Sequence, residues 1–309
     1  MEIRKDYLLN RWTFISEERI KRPMDFHKER IKKKNQCFFC PGKEDSTPSE
    51  TGRREKNGKW IIRWFPNKFP VVWDTPLVTM SRGFLVEMTP SGYHEVIVEA
   101  RAHTQQLWDL PVGHIKTLLD VYAERISELK KKKNVKYVAV FKNHSSLAGT
   151  SLVHSHSQVV ALPILPDHIR EELKASQRYS YCPHCRILRM ERKSQRRCFE
   201  NKSMVAFTPY APRFNYEIKI FPKRHIRSLA EMREKERMDF ARILKKVLLK
   251  LRKRNMPYNF FLHHSPDGKD LHFHMSITPR MGKFGGFELS TDAVIISVSP
   301  EEAARYYRH

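Results

Sequence analysis

The sequence lacks several features that mark common classes of protein. None of its apolar runs approaches the roughly 20 residues that a membrane-spanning helix requires, which argues against a helical membrane protein. The first residues, MEIRKDYLLNRW, lack the apolar block and the small-residue cleavage site of a signal peptide. We therefore expect a cytoplasmic protein with no membrane partner.

Acidic residues are scarce, with 34 Asp and Glu against 58 Lys and Arg, which gives a formal net charge of +24. A basic chain favours anionic partners, and both nucleic acids and phosphorylated metabolites are anionic. The basic residues are dispersed in helix-compatible runs such as ELKKKKNVK, not gathered into a stripe with interleaved aromatic residues. Nucleic acid is therefore the less favoured of the two partners.

Cysteine is also sparse, with five residues among 309. Cys37 and Cys40 form one C-x-x-C pair and Cys182 and Cys185 form a second, whereas Cys198 stands alone. In a cytosolic chain such pairs more often hold a metal ion than form disulfides, because the compartment keeps thiols reduced. The sequence therefore predicts one metal site in each half of the chain.

The order of elements after each cysteine pair is the same. An alternating strand that ends near a histidine, an amphipathic helix, a second strand, a turn and a strand containing H-x-H follow in turn. This repetition indicates a tandem duplication. Two prolines in LPILPDH break the strand between the halves, so we predict an N-terminal domain of residues 1–165 and a C-terminal domain of residues 166–309. The expected fold class is α+β, with two tandem halves that are each an antiparallel sheet with packed helices.

Zinc prefers four thiolate or imidazole ligands in a tetrahedron, so each half should supply two cysteines and two histidines. The predicted ligand sets are Cys37, Cys40, His103 and His154 in the first half and Cys182, Cys185, His225 and His272 in the second. Rival histidines leave these assignments open: His94, His144, His184 and His264. Four protein ligands leave no open position for water, so both sites are expected to be structural.

The stretch HSHSQ combines a metal-ligand candidate with groups suited to phosphoryl chemistry. In an extended strand His154, His156 and Gln158 share one face, because side chains alternate between faces. An imidazole at His156 can present one nitrogen as a nucleophile while the other donates to a backbone carbonyl. Gln158 offers a neutral amide donor, which suffices when the leaving group is a phosphate that needs no proton. The pattern suits attack of His156 on the α-phosphorus of a nucleoside diphosphate sugar.

Upstream, NHSSLAGTS contains small and polar residues that let backbone N–H groups approach a phosphate. Asn143, Gly149 and Ser151 are the candidates for this contact. A turn that binds no ligand is the alternative interpretation of this loop.

The segment FKNHSSLAGTSLVHSHSQVVALP closely resembles the active-site segment of the galactose-1-phosphate uridylyltransferase family, within the histidine-triad superfamily. CFFCPGKE, PNKFP, HEVIVE and GGFELSTD add matches along nearly the whole chain. The resemblance implies that both domains are histidine-triad-like and that the first carries the chemistry. It also implies a double displacement in which His156 takes UMP from UDP-glucose, releases glucose 1-phosphate, and passes UMP to galactose 1-phosphate.

The resemblance further implies roles for residues outside the HSHSQ strand, and a homodimer. Gln158, Asn143, Gly149 and Ser151 match phosphate contacts, Asn67 a nucleoside contact, Arg19 and Arg22 basic residues near the nucleotide, and Lys283, Phe284 and Glu288 a stretch that touches the hexose in the partner subunit. In the second half Ser276 stands at the glutamine position, so only the first half is expected to perform the displacement.

Two alternative functions follow, one from a departure from the family's sequence pattern and one from the basic composition. Lys68 stands where some family members carry an acidic nucleoside contact, so an ADP-glucose phosphorylase or adenylyltransferase of the same family is the first alternative. A zinc-stapled nucleic-acid-binding protein, suggested by the net charge, is an alternative of another class.

Overall fold

The computed structural model describes residues 1–21 and 37–309. Within these residues the chain forms 15 strands and six α-helices. The strands of the first half are β1 (Glu2–Lys5), β2 (Trp12–Ile15), β3 (Gly52–Lys56), β4 (Lys59–Pro66), β5 (Thr79–Arg82), β6 (Leu85–Met88), β7 (Tyr93–Val98), β8 (Tyr137–His144) and β9 (His156–Leu162). Those of the second half are β10 (Arg197–Glu200), β11 (Met204–Phe207), β12 (Ile218–Pro222), β13 (Tyr258–His263), β14 (His274–Pro279) and β15 (Val294–Ile296). The helices are α1 (Val112–Lys130), α2 (Asp167–Ser176), α3 (Pro183–Glu191), α4 (Glu234–Lys253), α5 (Gly286–Thr291) and α6 (Pro300–Arg308).

The centre of the protein is an antiparallel sheet of ten described strands, in the order β10-β11-β12-β14-β13-β8-β9-β7-β4-β3. The first five come from the second half and the last five from the first half. Read outward from the middle, corresponding strands of the two halves occupy corresponding places, with β8 opposite β13 and β9 opposite β14. The domain boundary at residue 165 stays a prediction.

Each half contributes five antiparallel strands, in keeping with the predicted fold class, and the two sets join into one sheet. β8 and β13 pair antiparallel, with Tyr258 opposite His144 and Phe261 opposite Phe141. Each of these strands would otherwise be an open edge with unpaired N–H and C=O groups, and their pairing removes both edges. The join brings residues of the second half next to the end of β8, where the phosphate-loop candidates begin.

Helices α1 and α4 pack against each other and against one face of the sheet. Both have an apolar stripe at helical spacing, which for α1 includes Ile115, Leu118, Leu119 and Tyr122, all buried. These stripes cover the sheet face that carries Val138, and together they form the main hydrophobic core. On the opposite face α2 and α3 form smaller clusters with parts of the sheet, and the candidate site lies on that face at β9.

Two smaller sheets lie outside this core. Strand β2 pairs with β1 antiparallel and with β15 parallel, which ties the N-terminus to the second half. Strands β5 and β6 form a hairpin in which every residue is exposed, including Met80, Leu85 and Val86. Among the described residues, no helix combines the length and the hydropathy needed to cross a bilayer.

Candidate active site

Strand β9 lies between β8 and β7, in the interior of the sheet. Its register places His156 opposite Val98 of β7 and Gln158 opposite Phe141 of β8. Because side chains alternate, the serines of HSHSQ point to the helix side, where Ser157 contacts Tyr122 of α1. His156 and Gln158 therefore project from the opposite face, away from α1 and α4.

The imidazole of His156 has one fixed nitrogen and one free nitrogen. Nδ1 lies 2.8 Å from the backbone oxygen of His154, and since a carbonyl can only accept, Nδ1 carries the proton. Within the described part of the chain nothing hydrogen-bonds to Nε2, which therefore keeps its lone pair. Burial lowers the pKa of the ring and the Lys142 ammonium lowers it further, which favours this neutral form. The ring lines a cavity of about 290 Å³ together with Asn143 and Ser151.

Gln158 is oriented by His94, which the sequence offered only as a rival metal ligand. The backbone N–H of Val71 donates to Nδ1 of His94 at 3.2 Å, so Nε2 carries the proton and donates to Oε1 of Gln158 at 2.8 Å. Burial lowers the pKa of His94, in keeping with a neutral ring. With its carbonyl oxygen held in this way, Gln158 presents its NH₂ group as the free donor.

The predicted phosphate loop is held by a residue of the second half. Asn259 of β13 donates through Nδ2 to Oδ1 of Asn143 at 2.8 Å and to the backbone oxygen of Ala148 at 2.7 Å. Gly149 has φ of +89°, a left-handed conformation that other residues adopt only with strain. Ser151 is exposed at the start of the segment that leads to His154. Asn259 reaches this loop only because β8 and β13 pair, so no local sequence pattern could have predicted its role.

Asn67 lies directly after β4, next to the same group of side chains. Its Oδ1 accepts a hydrogen bond from the N–H of Phe69 at 2.9 Å, and its Nδ2 lies 3.1 Å from Nε2 of His94. The structure thus brings Asn67, His94 and Gln158 together.

The first predicted cysteine and histidine set forms one compact group. The ligand atoms of Cys37, Cys40, His103 and His154 all lie within 4.8 Å of one another. A tetrahedral zinc ion with Zn–S of about 2.3 Å and Zn–N of about 2.0 Å requires S···N separations of about 3.6 Å. The separations from Nδ1 of His154 are 3.6 Å to Cys37 and 3.7 Å to Cys40. Nε2 of His154 donates to the backbone oxygen of Ala100 at 2.7 Å, the kind of contact that orients a ligating imidazole.

The second set has the same arrangement. The ligand atoms of Cys182, Cys185, His225 and His272 lie within 4.8 Å of one another. Cys185 Sγ is 3.4 Å from Nδ1 of both histidines. Their Nε2 atoms face an Asp270 carboxylate oxygen at 2.8 Å and the Pro222 backbone oxygen at 3.1 Å. Both groups could therefore hold a metal ion.

A third group, which the sequence reasoning missed, lies in the second half. Nδ1 of His263 is 3.1 Å from Glu172, and Nε2 of His168 is 3.4 Å from the same carboxylate. The three residues have potential ligand atoms within 4.8 Å of one another. His274, the counterpart of His156, is fully buried and stacks on His263 with ring centroids 4.2 Å apart. His274 thus packs on this group, and Ser276 and Thr278 of the same strand line a cavity of about 90 Å³ beside it.

The remaining predicted residues that the structure describes do not line the cavity beside His156. Arg19 is exposed in a short 3-10 helix at Glu17–Lys21, and Arg22 lies outside the described residues. Phe284 stacks on Phe214 with centroids 5.3 Å apart, and Glu288 accepts a hydrogen bond from the N–H of Gly285 at the start of α5. Lys283 is exposed beside them.

The two-half sheet with an H-x-H strand in each half defines the class: a mixed α/β protein with large antiparallel pairing. Comparison with known sequences gives the family. A sequence model described as galactose-1-phosphate uridyl transferase, N-terminal domain, matches residues 1–166. A second, described as a domain of unknown function (DUF4921), matches residues 90–306. The chain belongs to the galactose-1-phosphate uridyl transferase family, whose members are nucleotidyltransferases.

Individual relatives carry two different names. The chain is similar to an ADP-glucose phosphorylase of Arabidopsis thaliana, with 32% identity over 99% of this chain and 92% of the relative. It is similar to a galactose-1-phosphate uridylyltransferase of Thermotoga maritima, with 29% identity over 100% of this chain and 98% of the relative. The crystal structure of the Arabidopsis ADP-glucose phosphorylase with bound ADP-glucose matches at a TM-score of 0.85 and 29% identity, covering 100% of this chain and 98% of that one. A uridylyltransferase structure matches at 0.78 and 32%, covering 100% and 97%.

Proposed function

We propose that the protein is a galactose-1-phosphate uridylyltransferase that moves UMP from UDP-glucose to galactose 1-phosphate through a covalent adduct on His156. The observation that carries this proposal is the fixed tautomer of His156. Its Nδ1–H is held by the His154 carbonyl, so Nε2 is the nucleophilic nitrogen, and the ring lines the cavity shared with Asn143 and Ser151.

In the first step Nε2 of His156 forms a bond to the α-phosphorus while the bond from that phosphorus to the bridging oxygen breaks. Glucose 1-phosphate leaves with the electron pair and needs no proton. The Nδ1–H bond to the His154 carbonyl supports the positive charge that develops on the ring. The free NH₂ group of Gln158 donates to the phosphoryl oxygens. Attack by the phosphate of galactose 1-phosphate then reverses the sequence and regenerates His156.

A second donor is supported by a specific observation. The similarity to the Arabidopsis ADP-glucose phosphorylase extends over nearly the whole of both chains. ADP-glucose as donor with inorganic phosphate as acceptor would use the same His156 and Gln158, because the reacting bond is the same. Lys68, next to the nucleoside candidate Asn67, is where the two donors would differ in their contacts.

We propose zinc as the ion for both cysteine and histidine groups. Two thiolates and two imidazoles with S···N separations near 3.5 Å suit its tetrahedral geometry. The ion in the first group would anchor His154, whose carbonyl in turn fixes the tautomer of His156. It would take no part in the chemical step.

We also propose a homodimer located in the cytoplasm. Lys283, Phe284 and Glu288 do not line the cavity beside His156 in their own chain, so we place them at the hexose in the partner's site. The exposed β5–β6 hairpin, with Phe84 fully exposed at its turn, provides apolar surface that an interface would cover. The four paired cysteines are arranged as metal ligands and not as disulfides, which suits a reducing compartment.

The experiment that tests the function compares donors and acceptors. UDP-glucose and ADP-glucose, each labelled at the α-phosphate, are incubated with the protein alone and then with galactose 1-phosphate or inorganic phosphate. Label on the protein from UDP-glucose, discharged by galactose 1-phosphate, is the expected result. Label only from ADP-glucose, discharged by phosphate, would support the second donor. No label from either donor would contradict the proposal.

A further inference from the structure

The serines of HSHSQ lead to a buried polar network on the helix side of β9. Lys142 of β8 and Glu99, directly after β7, form an ion pair of 2.6 Å in which both side chains are fully buried. Tyr122 of α1 joins them, with its hydroxyl oxygen 3.1 Å from Glu99 and 2.8 Å from Ser157. A buried ion pair is costly to desolvate and is not a general source of stability, so its place beneath the reacting strand calls for another explanation.

The network makes hydrogen bonds to three consecutive residues around the start of β9: Ser155, His156 and Ser157. The Lys142 ammonium donates to Glu99, to Ser155 Oγ at 3.0 Å and to the backbone oxygen of His156 at 2.9 Å. Ser155 donates to Glu99 at 2.5 Å. Since a carboxylate can only accept, Tyr122 donates to Glu99 and accepts from Ser157. Ser155, His156 and Ser157 are therefore all hydrogen-bonded to this network on the helix side of the sheet.

We propose that Lys142 and Glu99 are positioning residues that fix the backbone of His156 so that its Nε2 meets the α-phosphorus. This inference rests on the proposed function. The Lys142 bond to the His156 carbonyl and the His154 carbonyl bond to its ring hold the residue at two separate points. Misplacement of a reacting atom by about 1 Å can lower a rate about 100-fold, so such fixing has a measurable consequence.

Removing one member of a buried ion pair leaves a lone charge, so single variants are expected to fold poorly. The test therefore uses the neutral double variant Glu99→Gln/Lys142→Met, together with Tyr122→Phe, which removes one hydroxyl. The matched control is Glu95→Gln/Arg125→Met. Glu95 and Arg125 form a buried ion pair at 2.8 Å between β7, which leads to Glu99, and α1, which carries Tyr122, but the pair makes no side-chain bond to β9 within the described residues.

The readouts are the single-turnover rate of adduct formation from α-labelled donor and the donor dissociation constant, both measured well below each variant's melting temperature. We expect adduct formation to fall about 10- to 100-fold in Glu99→Gln/Lys142→Met and about 3-fold in Tyr122→Phe, with donor affinity within about 3-fold of the parent. The control double variant should react within about 2-fold of the parent at the same fraction folded.

A folded Glu99→Gln/Lys142→Met protein that reacts as fast as the parent would overturn the inference while leaving the proposed function intact. Equal loss in the control variant would also overturn it, because the effect would then follow from loss of any buried ion pair. Absence of adduct in the parent with either donor would instead overturn the proposed function, and this inference with it. If the double variant does not fold, the rate of Tyr122→Phe decides between the same outcomes.

Discussion

At the scale of single residues, His156 and His94 each make one hydrogen bond between a ring nitrogen and the backbone. That bond determines which of the two nitrogens in the same ring carries the proton. The His154 carbonyl places the proton of His156 on Nδ1, and the Val71 N–H places that of His94 on Nε2. Opposite tautomers give opposite roles. The free nitrogen of His156 is suited to attack, and the protonated nitrogen of His94 is suited to hold the Gln158 carbonyl.

Replacing His156 tests the first role. In His156→Gly no nitrogen remains to bond phosphorus, so the covalent adduct from labelled UDP-glucose or ADP-glucose should be absent. Mass spectrometry of the intact protein after incubation with donor measures this directly. Free imidazole added to the variant should restore slow transfer to the acceptor, because the cavity and Gln158 are still present. An adduct that persists in the variant would assign the nucleophile elsewhere.

Replacing His94 tests the second role. His94→Leu leaves the carbonyl oxygen of Gln158 without its donor, so the amide can turn and present oxygen to the phosphoryl group. We expect kcat to fall about 10-fold, less than the roughly 100- to 1,000-fold loss when an oriented donor is removed outright, because the Gln158 amide is still present. In a Gln158→Leu background the same change should have almost no further effect. Additive losses in the double variant would mean that His94 acts independently of Gln158.

At the scale of elements, the pairing of β8 with β13 places a residue of the second half beside the candidate phosphate loop of the first half. Asn259 spans this junction and holds both Asn143 and the carbonyl of Ala148. The phosphate loop is therefore supported from a strand that lies more than 100 residues later in the chain.

Asn259→Ala removes both of these bonds, while the backbone pairing of β13 is retained. The loop should then sample other conformations, and the dissociation constant for the nucleotide sugar should rise about 10-fold, the equivalent of about 1.4 kcal/mol. Isothermal titration with donor in a His156→Gly background measures binding without turnover. Asn201→Ala is a suitable control, since Asn201 also bonds a backbone carbonyl but that of Asp239, in α4. Unchanged affinity in Asn259→Ala would show that the loop holds its shape alone.

The same junction marks the limit of what the sequence predicts. The sequence could propose both cysteine and histidine groups, because C-x-x-C and H-x-H are local motifs and because His103 and His225 follow strands at corresponding places in the two halves. The roles of His94 and Asn259 could not be predicted, because they depend on register between strands that are distant in the sequence. The Glu172 group was missed because it joins helix α2 to His263 of β13. The joining of the two sets of strands into one sheet could not be predicted either, because nothing local in YVAVFKNH or YNFFLH states that these two strands would pair with each other.

At the scale of the whole molecule, the two metal groups are expected to differ in what they support. Metal analysis should return two zinc ions per chain. Cys185→Ser should lose one of them and lower the melting temperature by more than about 5 °C, because metal binding is coupled to folding. Cys37→Ser should also lose one ion and in addition slow adduct formation, because His154 holds the ring of His156. Cys198→Ser, at a cysteine outside both groups, is the control and should keep both ions. Full metal content in Cys37→Ser and Cys185→Ser would contradict the assignment.

The protein should also lose stability in mild acid, because it buries histidines in their neutral form. His144 lies between Trp108 and Tyr258, and burial lowers its pKa to about 4, with the Lys142 ammonium as a further cause. Since the folded pKa is below the ordinary value of about 6.5, the unfolded chain takes up the proton first. The contribution of His144 is therefore complete above about pH 6.5 and is lost as the pH falls from there toward 4, by roughly 3 kcal/mol at most.

His144→Phe keeps the aromatic contacts and cannot titrate, so urea unfolding at pH 7 and pH 4.5 should show a smaller difference in free energy than for the parent. His309→Phe, at an exposed terminal position, should leave that difference unchanged. An equal loss in His144→Phe and the parent would mean that His144 is already protonated in the folded protein or that other groups dominate. The comparison between variants removes the shared effect of metal release at low pH.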